Sequence, residues 1–191
     1  MTPARKLIYS MGVSLDGYIA GSGGEIDWAA PDEELHSFHN EQARELGGQL
    51  YGRRLWETMR PWETVDDDQS RPEHEREFAR IWKDTQKVVF STTLTDVGPG
   101  ARLVREDAAG EVARLKAKPG GTLAAGGAGL AATLIRHGLV DEYRIFVNPV
   151  VLGGGTPFFP PLEQPLALHL VESRTFPGGV EYLRYRVGEE S

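Results

Sequence analysis

The chain of 191 residues contains no cysteine. That single absence excludes disulfide scaffolds, thiol nucleophiles, iron–sulfur clusters and cysteine-based zinc sites. Cations are also in short supply: 21 Lys and Arg stand against 28 Asp and Glu, a formal net charge of −7. A general nucleic-acid binder carries the opposite balance, because neutralising phosphate drives that binding, so no nucleic-acid partner is expected. No apolar run has the length of a membrane span, and the central one is broken by Gly126, Gly127 and Gly129. Arg5-Lys6 before an apolar segment superficially resembles a secretory signal, but no small-residue cleavage site follows, and a buried first strand is expected instead. These absences point to a cytoplasmic protein with no membrane partner.

What is present is an ordinary globular mixture, 40% hydrophobic and 26% charged. The length suits one domain over residues 1–191. Short apolar runs at Leu7–Val13, Gln49–Tyr51, Lys87–Phe90, Thr122–Ala125 and Glu142–Pro149 read as buried strands. Between them, helical spacing appears at Asp32–Leu46, Leu55–Met59, around Phe78, Ile81 and Trp82, at Ala108–Ala117 and at Leu130–His137. Gly47-Gly48 is expected to end the first of these helices, and Glu63–Glu77 to be an acidic surface excursion. Alternation of short strands with helices predicts a mainly parallel α/β sheet, with the tail runs Leu166–Phe176 and Val180–Val187 adding an antiparallel hairpin.

Three clusters of hydrogen-bond donors follow predicted strands. Gly126-Gly127-Ala128-Gly129-Leu130 leads from a strand into a helix, where free N–H groups and absent side chains suit a phosphate. The spacing matches neither a dinucleotide fingerprint nor a Walker loop, and a plain tight turn is the alternative. Gly52-Arg53-Arg54 brings two guanidiniums to another strand end, and Ser91-Thr92-Thr93 brings hydroxyls to a third. Open α/β sheets bind ligands at the carboxyl ends of their strands, so the clusters together point to a phosphorylated cofactor. With donors and no acid expected where a ribose hydroxyl would be read, NADPH suits them better than NADH.

Asp32 and Glu33 start a helix close in sequence to Trp28. A carboxylate against an indole can handle a proton near neutrality, whereas helix capping is the simpler reading of the same residues. His36 and His39 lie on that helix without a metal-binding pattern, so no metal is expected and both are read as surface histidines.

The chain resembles the dihydrofolate reductase superfamily, in particular the reductase domain of the bifunctional riboflavin-biosynthesis deaminase/reductase and its stand-alone relatives. The resemblance rests on Ser14-Leu15-Asp16-Gly17-Tyr18-Ile19-Ala20, Tyr51-Gly52-Arg53-Arg54-Leu55-Trp56-Glu57, Val89-Phe90-Ser91-Thr92-Thr93-Leu94 and Ala125-Gly126-Gly127-Ala128-Gly129-Leu130. Gly138-Leu139-Val140-Asp141-Glu142-Tyr143 and Pro149-Val150-Val151-Leu152-Gly153-Gly154-Gly155 complete the series in family order. It implies a three-layer, mainly parallel eight-stranded sheet flanked by helices, and bound NADPH. Backbone at Gly12 and Ile19 would hold the nicotinamide amide. Gly52, Arg53, Arg54, Ser91 and Thr92 would meet cofactor phosphates, and Gly126 and Gly127 the pyrophosphate. Trp28 and Asp32 would contact substrate, with Asp32 or Glu33 as proton donor, and relatives of this kind suggest a homodimer. Leu55 replaces a phosphate-binding Thr, and Asp32 directly follows Pro31 where dihydrofolate reductases space the acid one residue further. The implied activity is NADPH-dependent reduction of a small heterocycle, with 5-amino-6-(5-phosphoribosylamino)uracil the first substrate to test. The alternatives are a dihydrofolate or pterin reductase, and a nucleotide-binding protein without turnover.

Overall fold

Alternation along short strands decides the architecture, because successive side chains point to opposite faces of a sheet. The computed structural model describes residues 4–188. Among these the strands are β1 (Leu7–Ser14), β2 (Tyr18–Ala20), β3 (Leu46–Gly52), β4 (Lys87–Phe90), β5 (Ala101–Val104), β6 (Thr122–Gly126), β7 (Glu142–Asn148), β8 (Thr156–Pro157), β9 (Leu168–Thr175) and β10 (Glu181–Val187). The α-helices are α1 (Glu33–Arg44), α2 (Arg53–Met59), α3 (Glu73–Asp84), α4 (Ala108–Ala117) and α5 (Ala128–Arg136). Eight strands form one sheet in the order β5-β4-β3-β6-β1-β7-β10-β9. The pairs from β5 to β7 are parallel, and β10 joins β7 and β9 antiparallel, as the sequence pattern predicts. β2 and β8 make a separate two-stranded ribbon that the pattern does not reveal.

One face of the sheet turns Leu7, Tyr9, Leu50, Val88, Leu123 and Tyr143 into a core closed by Val112 and Leu115 of α4 and by Leu130, Ala131 and Leu134 of α5. Tyr51 and Val89 point the other way, against Trp56 of α2 and Trp82 of α3. Phe146 and Tyr182 meet Leu35 and Phe38 of α1 on that same side. The result is three layers, helices on both faces of one sheet. Burying a side chain of Leu or Phe size contributes roughly 1.5–3 kcal/mol, so the two apolar faces are the main source of stability.

Several polar groups buried under the helices are paired. Trp82 Nε1 donates to the Tyr51 hydroxyl at 2.9 Å, and that hydroxyl donates in turn to Gln49. The buried Lys87 Nζ donates to the carbonyls of Trp82, Lys83 and Thr85 at 2.7, 3.1 and 2.8 Å, tying the end of α3 to β4. A cation there also complements the negative end of the helix.

Gly47-Gly48 is not the helix stop the sequence suggests. α1 ends at Arg44, and both glycines lie within β3, where a Cβ on Gly47 would stand 2.7 Å from the Gly121 nitrogen. The glycines serve close backbone approach, a cause that local propensity does not reveal.

Candidate active site

Two cavities open beside the central strands. The first, about 810 Å³, lies at the carboxyl ends of β3, β4 and β5 and the start of α5. Its walls include Ile19, Gly52, Arg53, Arg54, Ser91, Thr92, Gly127, Ala128, Gly129 and Leu130, so most of the residues expected to bind cofactor are brought to one place. Gly12 and Gly126 line the neighbouring cavity instead.

Local geometry gives the first cavity groups that suit a phosphate. Gly127 caps α5 with φ +95°, a conformation that side chains rarely adopt, and no side chain caps the helix beyond it. The first amides of α5, from Ala128 onward, are therefore open to an anion at the positive end of the helix. A Cβ on Gly126 would stand 2.2 Å from a Leu55 methyl, so the strand end and α2 touch only because the residue is glycine. Arg53 and Arg54 are both exposed, and Arg53 donates to Glu57 at 2.9 Å and to Thr93 Oγ1 at 2.9 Å. Ser91 Oγ accepts from the amide of Leu94 at 3.0 Å and so shapes the loop after β4. These groups fit a phosphorylated dinucleotide: amides for a pyrophosphate, guanidiniums and hydroxyls for a further phosphate. Glu106 and Asp107 also line this cavity, delivered by β5, a strand that the sequence pattern did not expose. Asp107 adopts φ +51°, caps α4 by accepting from Gly110 at 3.0 Å, and stands 3.5 Å from Arg114.

The second cavity, about 340 Å³, lies between α1 and the sheet face formed by β3, β6, β1 and β7. Ser10 and Gly12 of β1, Ala124 of β6, Phe146 of β7 and Met59 of α2 line it, with His36, His39 and Gln42 descending from α1. The two cavities share Met11 and Leu55.

His36 and His39 are therefore not surface residues. His36 is 8% exposed, and the ring of His39 lies tilted against the Phe146 ring, 4.4 Å between centroids. Burial lowers the pKa of both: with a further contribution from His74 for His36, and to about 4 with a contribution from His36 for His39. The sequence signal was available in the helical phase of Leu35, Phe38 and Gln42, which puts His39 on the inward side of α1.

Asp32 and Glu33 stand elsewhere. Asp32 is exposed, and its Oδ1 accepts from the Leu35 amide at 2.8 Å as the N-cap of α1. Capping draws the carboxylate back over the helix end and away from the sheet. Neither acid lines a cavity, although the adjoining Pro31 does. Trp28 lies in a short 3-10 turn, donates to the Glu25 carbonyl at 3.0 Å and lines neither cavity. The structure thus supports the capping reading of these residues. Among the described residues no group of three or more His, Asp or Glu is arranged to hold a metal.

A loop contact that the separate motifs do not reveal ties two of them together. Asp16 accepts from the amides of Leu152 and Gly153 at 3.1 and 2.7 Å, which joins the segment after β1 to the glycine run before β8. A hydrogen bond from Ser14 and then those amides hold its carboxyl below the usual range. Gly155, at φ +138°, lets β8 pass over Ala20, whose carbonyl a Cβ would meet at 2.0 Å.

The sequence model of the RibD C-terminal domain family matches residues 5–182. The uncharacterized protein YyaP of Bacillus subtilis (strain 168) is 35% identical over 184 residues, covering 95% of this chain and 94% of its own. A candidate riboflavin biosynthesis protein from Shewanella sp. PV-4 superposes with a TM-score of 0.74 at 25% identity, over 96% of this chain and 99% of that one. Dihydrofolate reductase from Enterococcus faecalis, in complex with NADP(H) and RAB-propyl, has the same fold: TM-score 0.65, 16% identity, coverage 99% and 100%.

Proposed function

From the fact that the chain belongs to the RibD C-terminal domain family, we propose that it is an NADPH-dependent reductase acting on a small heterocyclic substrate. The observation that carries this reading is the junction of the two cavities at Met11 and Leu55, one rich in phosphate-binding groups and the other mainly apolar. NADPH supplies a hydride, and the chain supplies binding, orientation and a dry surface. In this reading Arg53, Arg54, Ser91 and Thr92 hold the cofactor's phosphates, with the open amides of α5 on the pyrophosphate. Gly12 and Ile19 offer backbone to the nicotinamide end. Met11 and Leu55 form the apolar wall against which the cofactor ring and the substrate meet.

Cofactor choice gives the first prediction. NADPH is expected to bind more tightly than NADH in a fluorescence titration. Replacing Arg53 and Arg54 together with Ala should reduce that preference by about tenfold, roughly 1.4 kcal/mol, because both guanidiniums are exposed and one is shared with Glu57. Equal affinities in the native chain would overturn the NADPH reading.

The activity itself is tested by NADPH oxidation at about 340 nm with pyrimidine, pterin and quinone substrates, beginning with 5-amino-6-(5-phosphoribosylamino)uracil. Oxidation of a heterocycle supports the reductase. A second reading, nucleotide binding without turnover, is favoured by the outward position of Asp32 and Glu33. It predicts tight NADPH binding and no oxidation with any of these substrates.

A further inference from the structure

We infer that Glu106 sets the cofactor selectivity of the larger cavity. Its carboxylate opposes the extra phosphate that distinguishes NADPH from NADH, and it accepts from the ribose hydroxyl that NADH leaves free. NADH therefore binds as a second, weaker cofactor. The inference deepens the reductase reading and rests on it for the identity of this cavity as the cofactor side.

Strand pairing fixes where Glu106 stands. β5 lies parallel to β4 with Val104 beside Phe90, and the Ser91 amide donates to the Val104 carbonyl at 3.0 Å just past those residues. The segment Arg105-Glu106-Asp107 therefore leaves the sheet next to Ser91-Thr92-Thr93, and every one of these residues lines the cavity. Arg53 joins the same corner, donating to Thr93 Oγ1 at 2.9 Å. The groups suited to a further phosphate thus share one end of the cavity with an acid.

The charges around Glu106 are already engaged. Asp107 caps α4 by accepting from the Gly110 amide at 3.0 Å and stands 3.5 Å from Arg114. Arg105 reaches back to the Thr95 carbonyl at 3.3 Å. Arg53 shares its guanidinium with Glu57 at 2.9 Å, so the cations of this corner are partly spent before any ligand arrives. Glu106 itself is exposed and has no hydrogen-bond or ion-pair partner among the described residues.

A free carboxylate in this place acts in opposite senses on the two dinucleotides. The phosphate on the ribose of NADPH brings about two negative charges, which Arg53 and Arg54 attract and Glu106 repels. The unphosphorylated ribose of NADH offers a hydroxyl donor instead, and α/β dinucleotide sites recognise that hydroxyl with an acid.

The test is a fluorescence titration of NADPH and of NADH into the full native chain and into Glu106→Gln at low ionic strength, where charge effects are least screened. Glutamine keeps the size of the side chain and removes its charge. The variant is expected to bind NADPH about threefold more tightly and NADH about threefold more weakly, so the preference for NADPH rises about tenfold. A loss of folded protein would weaken both ligands together and cannot move them apart. Asp107→Asn, which keeps the cap on α4, should shift the ratio by less than about twofold. A ratio in Glu106→Gln that stays within about twofold of the native value overturns the inference, as does a larger shift in Asp107→Asn, or a native chain that binds no NADH at about 1 mM. Failure of the reductase reading looks different: the ratio moves as described, and no substrate is reduced with either dinucleotide.

Discussion

At the scale of single residues, the same side chain can be read as catalytic or structural, and its hydrogen bonds decide. Asp32 caps α1 through the Leu35 amide. Asn caps about as well as Asp, so Asp32→Asn is expected to change stability by less than about 0.5 kcal/mol and NADPH oxidation by no more than about threefold. A fall of about 10²–10⁴ in turnover with unaltered NADPH affinity would instead make Asp32 the proton donor suggested by its position after Trp28 and Pro31. His39 carries a prediction about pH. Burial holds its folded pKa at about 4, against 6.5 for a free imidazole. Between these values the unfolded chain binds a proton that the folded chain does not, so folding stability falls as pH is lowered from 6.5 towards 4. The largest effect is about 3 kcal/mol. Urea unfolding across that range should show a shallower pH dependence for His39→Gln than for the native chain. Parallel profiles would mean that the imidazole titrates normally.

Among elements, the antiparallel strands are tied to the parallel sheet by charge as well as by backbone. Glu142 on β7 is 1% exposed and takes Arg144 from its own strand and Arg184 from β10. Burial pushes its carboxyl upward, and the hydrogen bonds from Arg184 and Arg144 overcome that push, leaving it below the usual range. Removing one partner of a buried ion pair strands the other, at a cost of about 3–5 kcal/mol. Glu142→Gln is expected to destabilise the chain by about that much in chemical denaturation. Because Arg144 lines the cavity beneath α1, the variant is also expected to lose affinity for a heterocycle bound there, with NADPH affinity at the larger cavity unchanged. A loss below about 1 kcal/mol would show that the pair contributes little beyond its own desolvation.

For the whole molecule, the open edge of the sheet bears on assembly. β9 is an edge strand of the sheet, with Leu170 47% exposed, and the neighbouring Val187 at the end of β10 is 39% exposed. An unpaired edge with apolar side chains favours pairing with a second copy, and we propose a symmetric homodimer that uses this region. Light scattering at micromolar concentration should give twice the monomer mass, and Leu170→Glu should return it to one. A monomer mass for the native chain would refute the proposal. Among the described residues no helix is long and apolar enough to cross a membrane.

The sequence by itself determined the elements whose causes are local. Short apolar runs marked β1, β4, β6 and β7, helical spacing marked α1, α4 and α5, and the glycines marked the turn before α5, where Gly126 packs closely on Leu55 and Gly127 takes a positive φ. The donors of the larger cavity were legible for the same reason, since each cluster follows a strand of its own. β2, β5 and β8 escaped because two to four residues carry too little periodicity, and β5 took with it the two acids that line the larger cavity. Only the tertiary structure decided what faces what. Insertion of β6 between β3 and β1 brings the turn before α5 beside α2, and the packing of α1 across the sheet buries His36 and His39 while leaving Asp32 outside. Those outcomes depend on strand order and on which helical face finds an apolar partner, and both are contacts between residues far apart in the chain.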